Sequence, residues 1–144
     1  MSRNTALITG ASSGIGAVYA DRLARRGYDL VLVARNTDRL KQVAQRISQE
    51  HDVNIQIVPA DLATPAGAAV VEDILKTGQI SFLVNNAGFG IIGAAESYTS
   101  EQVRSQLETN LYAPIEITRA VLPFMRKQGS GRILQISSVG GRVG

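Results

Sequence analysis

Three glycines, Gly10, Gly14 and Gly16, stand at a Gly-x3-Gly-x-Gly spacing in Thr9-Gly10-Ala11-Ser12-Ser13-Gly14-Ile15-Gly16, directly behind the apolar run Ala6-Leu7-Ile8. A glycine-rich turn between a strand and a helix lets backbone N–H groups approach a ligand with no Cβ in the way. The helix that follows points its partly positive N-terminus at the same place. The chemistry that suits such a turn is the holding of a phosphate or pyrophosphate. Behind a first strand it marks a dinucleotide site, formed by Gly10, Ser12, Ser13, Gly14, Ile15 and Gly16. Taken alone, a glycine turn at a strand–helix junction also has a purely structural use, so the decision falls to the rest of the chain.

Three further clusters bear on it. About 18 to 20 residues past the glycine turn, an acidic residue would bond the ribose 2′-hydroxyl of NAD. The sequence there reads Val33-Ala34-Arg35-Asn36. With the acid absent and the Arg35 guanidinium where a 2′-phosphate would lie, NADP(H) is expected over NAD(H). In Pro59-Ala60-Asp61-Leu62, Asp61 stands where a carboxylate could accept from an adenine amino group, with Leu62 beside it; a bare Asp in a loop serves equally as a helix-entry residue. Asn85-Asn86-Ala87-Gly88 offers two amides and a glycine at a strand's end, suited to tying the sheet and meeting a cofactor through backbone, with Asn86, Ala87 and Gly88 as contacts.

Runs rich in Val, Ile and Leu supply the elements that must position these groups. Strands are predicted at 6–9, 30–34, 55–58, 82–85 and 132–137, alternating with helical patterns. Leu40, Val43, Ala44 and Ile47 form one amphipathic stripe. Val70, Val71, Ile74 and Leu75 form a second, entered through Thr64 as cap and Pro65 at the first helical position and left at Gly78. A further helix starts at Thr99, where Gln102 completes a capping box, and runs towards Lys127, with Pro114 and Pro123 expected to bend or interrupt it. The alternation implies an α/β fold: a Rossmann-like doubly wound parallel sheet in three α/β/α layers, with strand order 3-2-1-4-5. Every cluster above then sits at a strand's carboxyl end.

The 144 residues suffice for one domain, and the 44% apolar and 19% charged shares fit a soluble globular protein. Without cysteine, thiolate chemistry is excluded; a single histidine, His51, excludes a multi-histidine metal site and reads as a solvated loop residue. No signal peptide or membrane span is expected, and a cytoplasmic setting is the default. The net charge of +3 does not imply nucleic acid. Seven basic residues, Arg22, Arg25, Arg26, Arg35, Arg39, Lys41 and Arg46, are interleaved with acids at helical spacing and lack aromatic partners, so a solvated helix face accounts for all but Arg35.

With these motifs in order, TGASSGIG at 9–16, Asp61, NNAG at 85–88 and Gln135-Ile136-Ser137-Ser138, the chain resembles the short-chain dehydrogenase/reductase superfamily in its single-domain branch. The resemblance implies an oxidoreductase moving hydride between a nicotinamide and a carbonyl or alcohol substrate. By position, Ser138 resembles the serine that bonds the substrate oxygen, with Ser137 the lesser candidate. Asn110 resembles the helix asparagine that holds a water in a proton relay; the bland alternative is a polar residue satisfying backbone at a helix irregularity before Pro114. The family's tyrosine, and the lysine four residues after it, are expected roughly a dozen residues past the serine. The sequence stops at Gly144, six residues on, and Tyr19, Tyr28, Tyr98 and Tyr112 have no lysine at that offset.

The 1–144 dinucleotide-binding domain is therefore expected to be incomplete at its C-terminus, its last residues a loop interrupted midway, with Ile133, Leu134 and Ile136 along an unpaired apolar edge. As it stands it should be inactive. A non-catalytic NADP(H)-binding module is the rival reading, and an extended-branch sugar-nucleotide epimerase is disfavoured by the glycine spacing. Phe89, Ile91 and Ile92 suggest an apolar wall near the crevice. The resemblance also implies a homo-oligomer, dimer or tetramer, built through the long helix after Thr99.

Overall fold

The computed structural model describes residues 4–141; Arg142, Val143 and Gly144, part of the terminal loop expected from sequence, lie outside them. Five parallel strands, β1 (Thr5–Thr9), β2 (Asp29–Ala34), β3 (Ile55–Pro59), β4 (Ile80–Asn85) and β5 (Arg132–Gln135), form one sheet in the order β3-β2-β1-β4-β5. This is the expected topology, with the order reversing beside β1. Ile8 pairs with Leu32 on one side and with Val84 on the other, which brings the carboxyl ends of β1, β2 and β4 level with one another.

Alternation along the central strands supplies both faces of the sheet. Ala6, Ile8, Leu30, Leu32 and Val84 pack under α1 (Gly14–Arg25) and α2 (Thr37–Glu50), where Leu23, Leu40, Val43 and Ile47 are buried. Leu7, Val31, Val33 and Leu83 face the other way, under α3 (Pro65–Lys76) and α5 (Ala113–Gln128), and meet Val71, Leu75, Ile117 and Val121. The α2 stripe is buried as its spacing predicts. In α3, Val71 and Leu75 are fully buried and Ile74 partly so, but Val70 lies one row round the helix and is exposed.

The capping signals hold. Thr64 Oγ1 accepts from Gly67 N–H, and Thr99 and Gln102 make the reciprocal box that opens α4 (Ser100–Leu107). Of the two prolines expected to bend or interrupt the long helix, Pro114 does so and Pro123 does not. The helix changes character before Pro114, as a π turn over Glu108–Tyr112, whereas α5 carries Pro123 without a break in its assignment. A proline removes the N–H that would close an α turn onto residue 110, and the chain absorbs this with a wider turn just upstream. β5 ends at Gln135, two residues earlier than expected. Its partner β4 stops at Asn85, and only the bond from Ile136 N–H to the Asn85 carbonyl extends the pairing. Ile133, Leu134 and Ile136 are half-buried against the two cores, less bare than the sequence suggested.

Leu83, fully buried at the sheet centre, and Ile92, fully exposed on a loop, test this division. Leu83→Ala is expected to lower the unfolding free energy by about 2–5 kcal/mol. Ile92→Ala should stay within about 0.5 kcal/mol of wild type, both read from urea denaturation with unchanged m-values.

Candidate functional site

The carboxyl ends of the strands open into a broad crevice of about 1830 Å³. A drug-sized ligand commonly takes roughly 300–1,000 Å³, so the crevice is wider than one small ligand requires. Of the residues expected from sequence, Gly10, Ser12, Ser13, Ile15, Arg35, Asp61, Leu62, Asn86, Ala87, Gly88, Asn110 and Ser138 all line it. Gly14 and Gly16 do not.

Those two glycines serve the shape of the turn. Gly14 adopts φ +53°, a left-handed conformation that other residues rarely take. Gly16 has no such need. It is buried where a Cβ would come within 2.2 Å of the Gly10 carbonyl oxygen and 2.6 Å of Asn86 Nδ2. The helix can therefore close onto the turn only if residue 16 lacks a side chain. Ala11 N–H bonds the Val33 carbonyl and pins the turn to β2. Ser13 begins α1 without a side-chain cap bond, and the first turn of the helix carries no acid. The positive end of α1, with no acid to offset it, therefore lies at Ser13 and Ile15 on the crevice wall, an arrangement suited to an anion.

Thr9 and Asn86 join the two strands that flank the reversal. The Thr9 hydroxyl donates to the Val84 carbonyl and accepts from both Asn86 N–H and Ala87 N–H, each at 3.0 Å. Asn86 Nδ2 returns to the carbonyls of Thr9 and Gly10, each at 3.2 Å. Asn85 turns the other way and is buried: Nδ2 donates to Thr118 Oγ1 at 3.0 Å, and Gln135 Nε2 donates to the same oxygen at 2.8 Å. Sequence reasoning passed over Thr118 and quoted Gln135 only as part of a motif; the two lock β4, β5 and α5 together beside Ser137 and Ser138.

At the end of β2 the crevice is lined by Arg35, Asn36 and Arg39. Arg39 is exposed, as expected of a solvated helix face, and lines the crevice as well. It stands in the first turn of α2, its N–H held by the cap Asn36, where the helix dipole disfavours a cation. That misplaced charge was the signal available in the sequence. Just past the end of β3, Asp61 Oδ1 accepts from Ala63 N–H at 3.0 Å, so its carboxylate shapes the turn before α3 as well as lining the crevice.

At the far end, Asn110 lies in the π turn with its amide engaged twice by one residue: Oδ1 accepts from Phe89 N–H at 3.0 Å and Nδ2 donates to Phe89 O at 2.7 Å. The helix irregularity expected near it is present, yet the backbone it satisfies belongs to the facing loop. Ser138 Oγ accepts from Gly140 N–H at 3.1 Å. Phe89 and Ile91 line the crevice, but Ile92 points fully into solvent and drops out of the apolar wall. His51, expected to be solvated, instead ends α2 with its ring largely covered and Nε2 3.5 Å from Asp21 Oδ1. Among the described residues no helix is long and apolar enough to cross a membrane.

A family model described as short chain dehydrogenase matches residues 4–144. The chain belongs to this family. Within it, the chain is similar to a 3-ketodihydrosphingosine reductase of Bacteroides thetaiotaomicron, 38% identical over 138 residues that make up 96% of this chain and 48% of the relative. Among solved structures it is similar to a bulky-bulky ketone specific alcohol dehydrogenase from Comamonas testosteroni, with TM-score 0.96 and 41% identity over 99% of this chain and 58% of that one. It is also similar to a short-chain dehydrogenase from Sphingobium yanoikuyae in complex with NADPH, with TM-score 0.93 and 44% identity over 96% of this chain and 55% of that one. The chain thus spans about half the length of the short chain dehydrogenases it matches.

The Thr9 hydroxyl is the acceptor for two crevice-wall amides, so Thr9→Val, equal in shape, should leave both unpaired. The expected loss is about 2–4 kcal/mol of stability, with amide hydrogen exchange at Asn86 and Ala87 accelerated more than in β2; Thr9→Ser should retain most of the protection.

Proposed function

We propose that this chain is the cofactor-holding part of an NADP(H)-dependent oxidoreductase that interconverts a carbonyl compound and an alcohol. The observation that carries the reading is the end of β2, where two arginines and no carboxylate face the crevice. Bidentate guanidinium groups suit a phosphate dianion, and an acid suited to a free ribose 2′-hydroxyl is missing. The NADPH held by the Sphingobium relative is consistent with this assignment.

The roles follow from position. Ser12, Ser13 and the first-turn amides of α1 would hold the pyrophosphate, Arg35 and Arg39 the 2′-phosphate, Asp61 and Leu62 the adenine, and the backbone of Asn86, Ala87 and Gly88 the nicotinamide ribose side. When bound, the nicotinamide supplies or accepts the hydride. Ser138 would donate its hydroxyl proton to the substrate oxygen in a hydrogen bond, orienting the carbonyl and stabilising charge that develops on it. Because the Asn110 amide is committed to Phe89, a water held at this position would be bound through the peptide groups of the π turn. Phe89 and Ile91 would favour an apolar substituent on the substrate.

Since no tyrosine within 1–144 has a lysine four residues on, we propose that these residues alone bind the cofactor without turning it over. The same observation favours the second reading, a cofactor-binding module without catalysis. Val103, Leu107, Leu111 and Ile115, all substantially exposed along α4, the π turn and α5, support pairing with a second copy of the chain through these helices. A cytoplasmic setting completes the proposal.

NADPH fluorescence titration of the 144-residue chain tests the core of this reading, which predicts tighter binding of NADPH than of NADH. Arg35→Ala combined with Arg39→Ala should weaken NADPH roughly 10- to 100-fold, the worth of hydrogen bonds to a charged group, and leave NADH within two- to three-fold. Equal affinities for the two cofactors in wild type would overturn the assignment. In a protein that turns over, Ser138→Ala should lower kcat far more than it alters the cofactor's Kd.

A further inference from the structure

Gly67 occupies the third position of α3 and is buried. A Cβ built on it would lie 2.0 Å from the carbonyl oxygen of Asp61, 2.6 Å from its carbonyl carbon and 2.9 Å from its nitrogen. All three are main-chain atoms, so no side-chain rotation relieves the overlap. Conformational freedom does not explain the glycine, because Gly67 is absent from the positive-φ positions. Helix propensity argues against it: alanine is the better helix former, and Ala66, Ala68 and Ala69 surround it. Close approach to Asp61 is the one local requirement that only glycine meets.

The contact closes a compact clamp. The Asp61 carbonyl accepts from Thr64 N–H at 3.0 Å and from the Thr64 hydroxyl at 2.8 Å, and the same hydroxyl accepts from Gly67 N–H at 3.1 Å. On the strand side, Ala60 N–H bonds the Ala34 carbonyl. The strand end is thereby held between β2 and the first turn of α3, and the stretch so held, Ala60 to Leu62, lines the crevice.

We propose that Gly67, acting with Thr64, is a positioning residue for the adenine end of the cofactor site. By letting α3 seat on the Asp61 carbonyl, it fixes where the Asp61 carboxylate and the Leu62 side chain stand. The inference rests on the reading of the crevice as an NADP(H) site. Relieving the overlap in Gly67→Ala means moving the Asp61 backbone from 2.0 Å to at least 3.0 Å from the new Cβ, a displacement passed directly to the crevice wall. Misplacements on the order of 1 Å at a site commonly cost large factors in function.

The test is binding of 2′,5′-ADP, which carries only the adenine half of the cofactor, followed by calorimetry, beside binding of reduced nicotinamide mononucleotide, which carries the other half, followed by NMR. Gly67→Ala is expected to weaken 2′,5′-ADP at least 10-fold and to leave the nicotinamide fragment within two-fold, with native circular dichroism. Thr64→Ala, which removes the hydroxyl that bridges the Asp61 carbonyl and Gly67 N–H without adding a Cβ at 67, should weaken 2′,5′-ADP in the same direction, and Thr64→Ser should restore it; this pair decides the matter if Gly67→Ala does not fold. Unchanged 2′,5′-ADP binding in the folded variants, or equal losses for both fragments, overturns the inference. Failure of the wild-type chain to bind NADPH or 2′,5′-ADP overturns instead the proposed function on which it rests.

Discussion

The hydroxyl of Thr9 is the point on which the crevice depends. At the reversal of strand order, β1 and β4 lie side by side but their chains leave in different directions, and a parallel sheet offers nothing to pair the amides beyond its last ladder bond. Thr9 Oγ1 takes two of these amides, from Asn86 and Ala87, and Asn86 Nδ2 takes two carbonyls from the β1 side. The exchange is self-contained and leaves no room between the segments. Gly16 then has to be a glycine because Asn86 Nδ2 and the Gly10 carbonyl already occupy the space a side chain would need. The direction of α1, and with it the aim of its N-terminal amides, follows from that contact.

This dependence explains why so much of the molecule could be read from the chain. Strand composition, the Thr64-Pro65 entry to α3 and the Thr99/Gln102 box are local signals, each satisfied within a few residues, so tertiary packing had no cause to override them. The five-strand order followed from handedness once the alternation was recognised. What escaped reading were effects that exist only between elements. Thr118 carries no signal in sequence, and Gln135 stands in a motif without a role of its own; they become a junction only when α5 and β5 meet Asn85. His51 looked solvated among charged neighbours because nothing local shows that the end of α2 lies against Asp21. Arg39 stood between these cases: its spacing fitted a surface stripe, and only its place at the positive end of a helix set it apart.

Charge placement separates a binding end from an ordinary surface. Arg22 and Arg25 stand in the last turn of α1, where cations oppose the negative end of the dipole and need no further reason. Arg39 stands at the opposite pole of α2, in a first turn that also holds Asp38, and lines the crevice together with Arg35. Two guanidinium groups on one wall of the crevice suit an anion. A cation at the positive end of a helix is the kind of local conflict with helix electrostatics that a functional site produces.

The two ends of the crevice are built by different means. Around the glycine turn, β2 and the Asp61–Gly67 clamp, nearly every contact is main chain on main chain or a short side chain on a neighbouring strand end, anchored to the buried centre of the sheet. The opposite end is made of loops. Phe89 is gripped by Asn110 from a π turn, and the Tyr98 hydroxyl bonds the carbonyls of Ile91 and Gly93, so this stretch is tied to itself and to a helix irregularity more than to the strands. Local opening is cheapest where buried apolar contacts are few and backbone bonds face solvent. A tightly tied end beside the sheet's centre, joined to a more loosely tied one, follows from where the fold places its strand ends and where it leaves loops.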